Sequence, residues 1–237
     1  MRLLIAQLEC PSTTTDVEAF LASARRLESA GGFHLHNPGG GLNTLALGSL
    51  LQEELQKEIY LHFHPADRNR AALFSDLITA SALGLEKVVL SSGLHPVKTR
   101  FPEAKPVYDL DLLQLLRMAD QVRTGVDPAG NSIEGGAPLQ IGVLAKVDSP
   151  LELLRLKQMV NVGADYLFLK WPSKLLGLSQ LEGIGKPIYL SVGLELERGE
   201  GDWRKAKECP IAGINLQIPA GQEEKGEDVL RWYSRYL

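Results

Sequence analysis

The sequence predicts an α/β fold, a TIM (β/α)8 barrel, and three observations carry that expectation. Short apolar runs alternate with helical patterns along the whole chain. Close to eight such strand–helix repeats fit in 237 residues without a linker or a break in composition. Polar, turn-prone strings follow the apolar runs, at the edge where parallel α/β folds bind ligands. A single domain over residues 1–237 is expected. A doubly wound open sheet is the alternative. It needs fewer strands and normally a phosphate fingerprint at the first turn, which Glu9-Cys10-Pro11-Ser12 is not.

Taken in order, Leu3 to Leu8 reads as the first strand, and Ser12 to Asp16 as the cap of a helix running through Arg26 to about Ala30. Phe33 to Asn37 is a second strand ending in the turn Pro38-Gly39-Gly40-Gly41, and Leu45–Lys57 a helix. The third strand, Glu58–His64, opens the most informative stretch of the chain. His62 and His64 alternate in it, a helix follows from Arg70 to Leu83, and Gly84 stops that helix. Val88 to Leu90 is a fourth strand, ending in Ser91-Ser92-Gly93-Leu94-His95-Pro96. Asp109–Arg123 is a helix, Ile141–Val147 a strand, Pro150–Val162 a helix and Tyr166–Trp171 a strand. Ser173–Leu181 is a weaker helix, Pro187–Val192 a strand, Trp203–Lys207 a short helix, Ile211–Ile218 the eighth strand and Asp228–Tyr236 the closing helix.

Composition bounds the function. Hydrophobic residues make up 44%, charged ones 23%, and the net charge is -4, which argues against nucleic-acid or anionic-membrane partners. Cys10 and Cys209 form no zinc or thioredoxin spacing and read as free thiols. With no signal peptide at the start and no run long enough to cross a membrane, the expected location is cytoplasmic.

The strand ends supply Glu9, His36, Asn37, His62, His64, Ser92 to His95, Lys146, Lys170 and Glu195. Any one of them is an ordinary loop or cap residue; together, at the functional edge of a barrel, they read as a site. His34-x-His36 and His62-x-His64 each put two imidazoles on one strand face. With Glu9 they leave open a metal-dependent hydrolase.

Several strings then resemble one family. Leu8-Glu9-Cys10-Pro11, His62-Phe63-His64-Pro65-Ala66-Asp67-Arg68-Asn69, Ala82-Leu83-Gly84, Lys105 to Asp111, Asp127 to Asn131 and Val162-Gly163-Ala164-Asp165-Tyr166 are similar, in order, to stretches of the methylenetetrahydrofolate reductases. Those proteins are flavin-dependent barrels of one-carbon metabolism. The resemblance implies FAD, flavin-mediated hydride transfer to or from a methylene- or methyl-folate, and Glu9 as the general acid. It places Asn37, His62, Ser92, Gly93, Leu94, Tyr108 and Asp109 at the flavin, and Lys170 and Trp203 at the substrate. Expected partners are a folate-type small molecule, a partner subunit and further copies of the chain. The chain departs from the family at Leu94 and Ser92, which replace an acid and a base, at Lys170, which replaces a pterin-holding Gln, and at Gln158-Met159. Its last strand–helix unit is shorter than the family's. A flavin-free or non-catalytic pterin-binding subunit is therefore a further alternative.

Overall fold

A computed structural model of the chain describes residues 2–37, 39–171, 181, 183–194 and 211–236. The strands are β1 (Leu3–Glu9), β2 (Gly32–His36), β3 (Glu58–Phe63), β4 (Lys87–Leu90), β5 (Gln140–Ala145), β6 (Tyr166–Lys170), β7 (Ile188–Gly193) and β8 (Gly213–Ile218). The helices are α1 (Val17–Arg26), α2 (Thr44–Leu55), α3 (Arg70–Ala82), α4 (Leu112–Arg123), α5 (Pro150–Val162) and α6 (Glu223–Tyr236). All neighbouring strands pair in parallel, and β8 closes on β1, so the fold is an eight-stranded barrel. Most of the helix expected over Ser173–Leu181, the helix expected over Trp203–Lys207, and Glu195 lie outside the described residues. Among the described residues no helix is long and apolar enough to cross a membrane.

Helix starts follow side-chain chemistry. Asn43, Asn69, Asp111 and Ser149 each accept a hydrogen bond from a backbone N–H of the first turn they precede. Asp111 and Gln114 bond each other's backbone reciprocally, which starts α4 at Leu112 and not at Asp109 as the sequence suggested. Asp109 serves another helix: its carboxylate accepts the Arg70 backbone N–H at 2.8 Å, at the start of α3.

Strand alternation divides the core in two. Outward residues such as Leu8, Leu35, Leu61, Val88, Val143, Leu167, Leu190 and Leu216 pack beneath Leu51, Leu77, Leu115, Leu156 and Leu230 of the helices. Each such buried side chain contributes about 1.5–3 kcal/mol. Inward residues Ile5, Tyr60, Val89, Tyr166, Phe168 and Tyr189 fill the N-terminal half of the bore. Their rings meet edge-on or tilted, with Tyr60–Tyr166 centroids 5.7 Å apart and Phe168–Tyr189 5.2 Å apart. The Tyr166 hydroxyl donates to the Val88 carbonyl at 2.7 Å. Tyr60 and Lys87 both donate to Glu58, at 2.7 and 2.6 Å. Room for this plug comes from glycine: a methyl at Gly142 would be driven into the Tyr166 ring.

Candidate functional site

Above the plug the same alternation turns polar. Inward positions here carry Gln7 of β1, His34 and His36 of β2, His62 of β3, Lys170 of β6 and Asn215 and Gln217 of β8. Ser91, just past β4, continues the inward phase set by Val89. A cavity of about 490 Å³ opens among them, with His36, His62, His64, Ser91 and Lys170 in its wall. Lys146, after β5, and Arg155 and Met159 of α5 line it as well.

The imidazoles form a column from core to mouth. Ring centroids are 5.3 Å apart for His34 and His62, and 4.7 Å for His36 and His62. His64 stands edge-on to His62 at 6.2 Å. Burial pushes the His34 pKa down to about 3, with His36 adding to the effect. Burial, then the charges of His64 and Lys170, lowers His36 to about 4. His62 falls well below the usual imidazole range, again chiefly through burial. These three rings are therefore neutral near pH 7.

Ser91 fixes the central ring. Its Oγ lies 2.7 Å from His62 Nε2 and accepts the Gly93 backbone N–H at 3.0 Å. The hydroxyl keeps its own proton free while accepting that bond, and we assign it as the donor to Nε2, which puts the His62 proton on Nδ1. Gly93 adopts φ 72°, a conformation that favours glycine, and a methyl there would meet the His64 ring. On the opposite side Asn215 donates to Gln7 Oε1 at 2.8 Å and to Ser191 Oγ at 3.1 Å.

The predicted residues divide between this cavity and other places. His62, Ser92, Gly93, Leu94 and Lys170 all line it. Glu9 lies instead in an adjoining cleft of about 280 Å³ with Cys10, Ser12, Lys98 and Arg100. Burial there, with Glu9 adding, lifts the Cys10 thiol to about 12, so it is an inert thiol. The Asn37 side chain holds its own turn: it accepts from Gly39 and Gly41 N–H and donates to the Gly41 and Leu42 carbonyls. Asp109 is paired with Arg70 at 3.2 Å. Tyr108 is exposed, with φ 44° and its ring 6.2 Å from His95. Trp203 lies outside the described residues.

Of the residues named for a flavin, His62, Ser92, Gly93 and Leu94 share this cavity. Asn37 and Asp109 have their polar atoms engaged locally and do not join them. Nor do the histidines converge as ligands. Among the described residues no three His, Cys, Asp or Glu side chains could hold a metal ion together, because the rings stack instead of aiming at one point.

Sequence reading missed Ser91, Gln7, Gln217 and Arg155. Strand alternation past Val89 points to Ser91. The stripe Glu152, Arg155, Leu156, Met159, at helical spacing, points to Arg155.

No family model matches the chain, and no curated protein matches it in sequence. Solved structures similar to it are barrels. One, from the tryptophan synthase α2β2 complex of Pyrococcus furiosus, has a TM-score of 0.61 and 16% identity, over 100% of this chain and 97% of that one. Orotidine 5'-monophosphate decarboxylase from Methanocaldococcus jannaschii has 0.63 and 10%, over 100% and 99%. An uncharacterized protein from Clostridium thermocellum that binds two copies of 5-methyl-5,6,7,8-tetrahydrofolic acid has 0.63 and 11%, over 99% and 96%. These likenesses overturn the methylenetetrahydrofolate reductase assignment, and with it flavin-mediated hydride transfer. The matched strings have structural work of their own. Asn69 caps α3, Arg68 pairs with Asp76, Gly163 ends α5, and Asp165 binds Arg123 and the Ile141 N–H. What the comparisons establish is the fold: the chain is a TIM barrel.

Proposed function

We propose that the barrel mouth is an enzyme active site that moves a proton on a small carbonyl compound, in the lyase–isomerase class. The observation that carries this reading is the stack of neutral imidazoles, His36 on His62, facing the charge of Lys170 in one cavity. A carbonyl oxygen near Lys170 gains stabilisation as it becomes an enolate. The neutral His36 ring takes the proton from the adjacent carbon. Negative charge arriving between Lys170 and the ring offsets what depresses its basicity. The ring of His62, itself bonded to Ser91, backs His36. The proton then returns to another carbon, or a bond next to the enolate breaks.

The test is deuterium wash-in at the carbon beside the carbonyl of pyruvate, 2-oxobutyrate and related ketones, followed by proton NMR in D2O. His36→Gln and Lys170→Met should each lower the exchange rate by about 10²-fold or more. Absence of exchange across the panel, or exchange that survives both substitutions, sinks the reading.

A second reading is a site for a reduced folate, supported by the Gln7 and Gln217 amides in the cavity. Paired amides complement the donor–acceptor edge of a pterin ring. Saturable binding of 5-methyltetrahydrofolate, lost on Gln7→Leu, would favour it over the first.

A further inference from the structure

We infer that Lys146 and Arg155 form an oxyanion-binding anchor, which holds the carboxylate or phosphate group of the molecule that enters the mouth. This inference deepens the proposed function: it gives the substrate an acidic end in addition to its carbonyl. Both side chains line the 490 Å³ cavity, on its β5–α5 side. Lys146 follows the last residue of β5. Arg155 is placed by its helix: Glu152, Arg155, Leu156 and Met159 of α5 recur at helical spacing and all face the cavity. Arg155, like Lys146, is solvent-exposed and stands at the rim of this wall.

Arg68 pairs with Asp76, Arg70 with Asp109, and Arg123 with Asp120 and Asp165, whereas the exposed Arg100 and Arg117 have no ion pair among the described residues. Among the described residues, neither Lys146 nor Arg155 has a carboxylate in ion-pair range. The acid on this wall is Glu152, and its carboxylate is turned back to the helix start. There it accepts the Asp148 N–H at 2.8 Å and the Ser149 hydroxyl at 3.3 Å. Among the described residues these two cations thus have no carboxylate partner, in a chain whose net charge is -4. Leu144, Leu156 and Met159 beside them make that part of the wall apolar, which strengthens the attraction for an anion. Guanidinium and ammonium together suit an oxyanion: Arg offers a planar fork to two oxygens, and Lys a compact charge to a third. A ligand anchored here presents its other end to His36 and Lys170.

Inorganic phosphate and malonate, titrated into the full chain at low ionic strength and followed by calorimetry and amide NMR, test the anchor. Expected is saturable one-to-one binding of at least one probe. Arg155→Gln and Lys146→Gln should each weaken it about tenfold or more. Arg155→Lys, which keeps the charge, should retain part of the affinity, and Arg117→Gln on the exposed face of α4 should change it less than twofold. The tighter of the two probes identifies the acid. No saturable binding of either probe, or binding that survives both neutral substitutions, overturns the anchor. Lys170→Met keeps the two ideas separable. Probe binding that persists in Lys170→Met and fails in Arg155→Gln supports the anchor even if no carbonyl compound exchanges its proton.

Discussion

The two halves of the barrel bore are built from the same eight strands and obey opposite rules. At the N-terminal end, Tyr60, Tyr166, Phe168 and Tyr189 interlock around glycines, and the polar atoms that the plug buries are bonded within it. At the C-terminal end, His34 and the Nδ1 of His62 are buried without a direct hydrogen bond, and Lys146, Arg155 and Lys170 have no carboxylate partner among the described residues. A buried polar atom left unpaired costs about 1–3 kcal/mol. The first half is arranged for stability. The second carries groups whose chemistry is directed at a visitor, and the plug bears the strain.

The largest expected effect probes the closed half. Gly142→Ala forces a methyl into the Tyr166 ring and should cost about 3 kcal/mol, lowering Tm by roughly 6–12 °C in a thermal scan. An unchanged Tm would show that the plug yields easily, and the contrast between the halves would collapse.

The next effect belongs to the open half and depends on pH. Burial holds the folded pKa of His34 near 3, below its ordinary 6.5. The unfolded chain therefore takes up a proton first as pH falls. The stability linked to His34 is fully present above pH 6.5 and is lost as pH drops toward 3. Between pH 7 and pH 4 the parent should lose about 3 kcal/mol more than His34→Gln, as measured by urea unfolding at both values. Equal losses would mean that water reaches the ring.

The smallest expected effect sharpens the boundary between the halves. Ser91→Ala removes the donor to His62 Nε2 and should cost about 1–2 kcal/mol. Nitrogen-15 NMR of the ring reports the chemistry: proton on Nδ1 in the parent, a mixture of tautomers in the variant. A parent ring protonated on Nε2 would reverse the hydrogen-bond direction assigned to Ser91.

Much of the scaffold was legible because its signals are local. Val88 to Leu90 is a continuous apolar run, Asn69 precedes a helical pattern, and Gly163 follows one, so each element announces its own start or stop. The polar mouth was legible as a set for the same reason. Relations across the barrel were not. Nothing in the string around Gly142 says that a tyrosine from the next strand needs its space. Glu9 reads as a mouth residue by its place after β1, yet it lies in the neighbouring cleft, because only closure of the barrel decides which strand ends share a cavity. Strings such as His62 to Asn69 misled in another way. Caps and ion pairs that any barrel of this kind needs were read as marks of one family.

β2 carries His34 and His36 at inward positions, and Phe33 and Leu35, alternating with them, pack outward against helices. Reading frame and chemistry are therefore tied in this strand. A substitution at His36 alters one wall of the mouth and leaves the outer core alone. Loss or gain of one residue in β2 would exchange the two sets, sending Phe33 and Leu35 into the bore and imidazoles beneath the helices. Natural variation in this strand should accordingly consist of replacements at fixed length, with insertions confined to the turns at its ends.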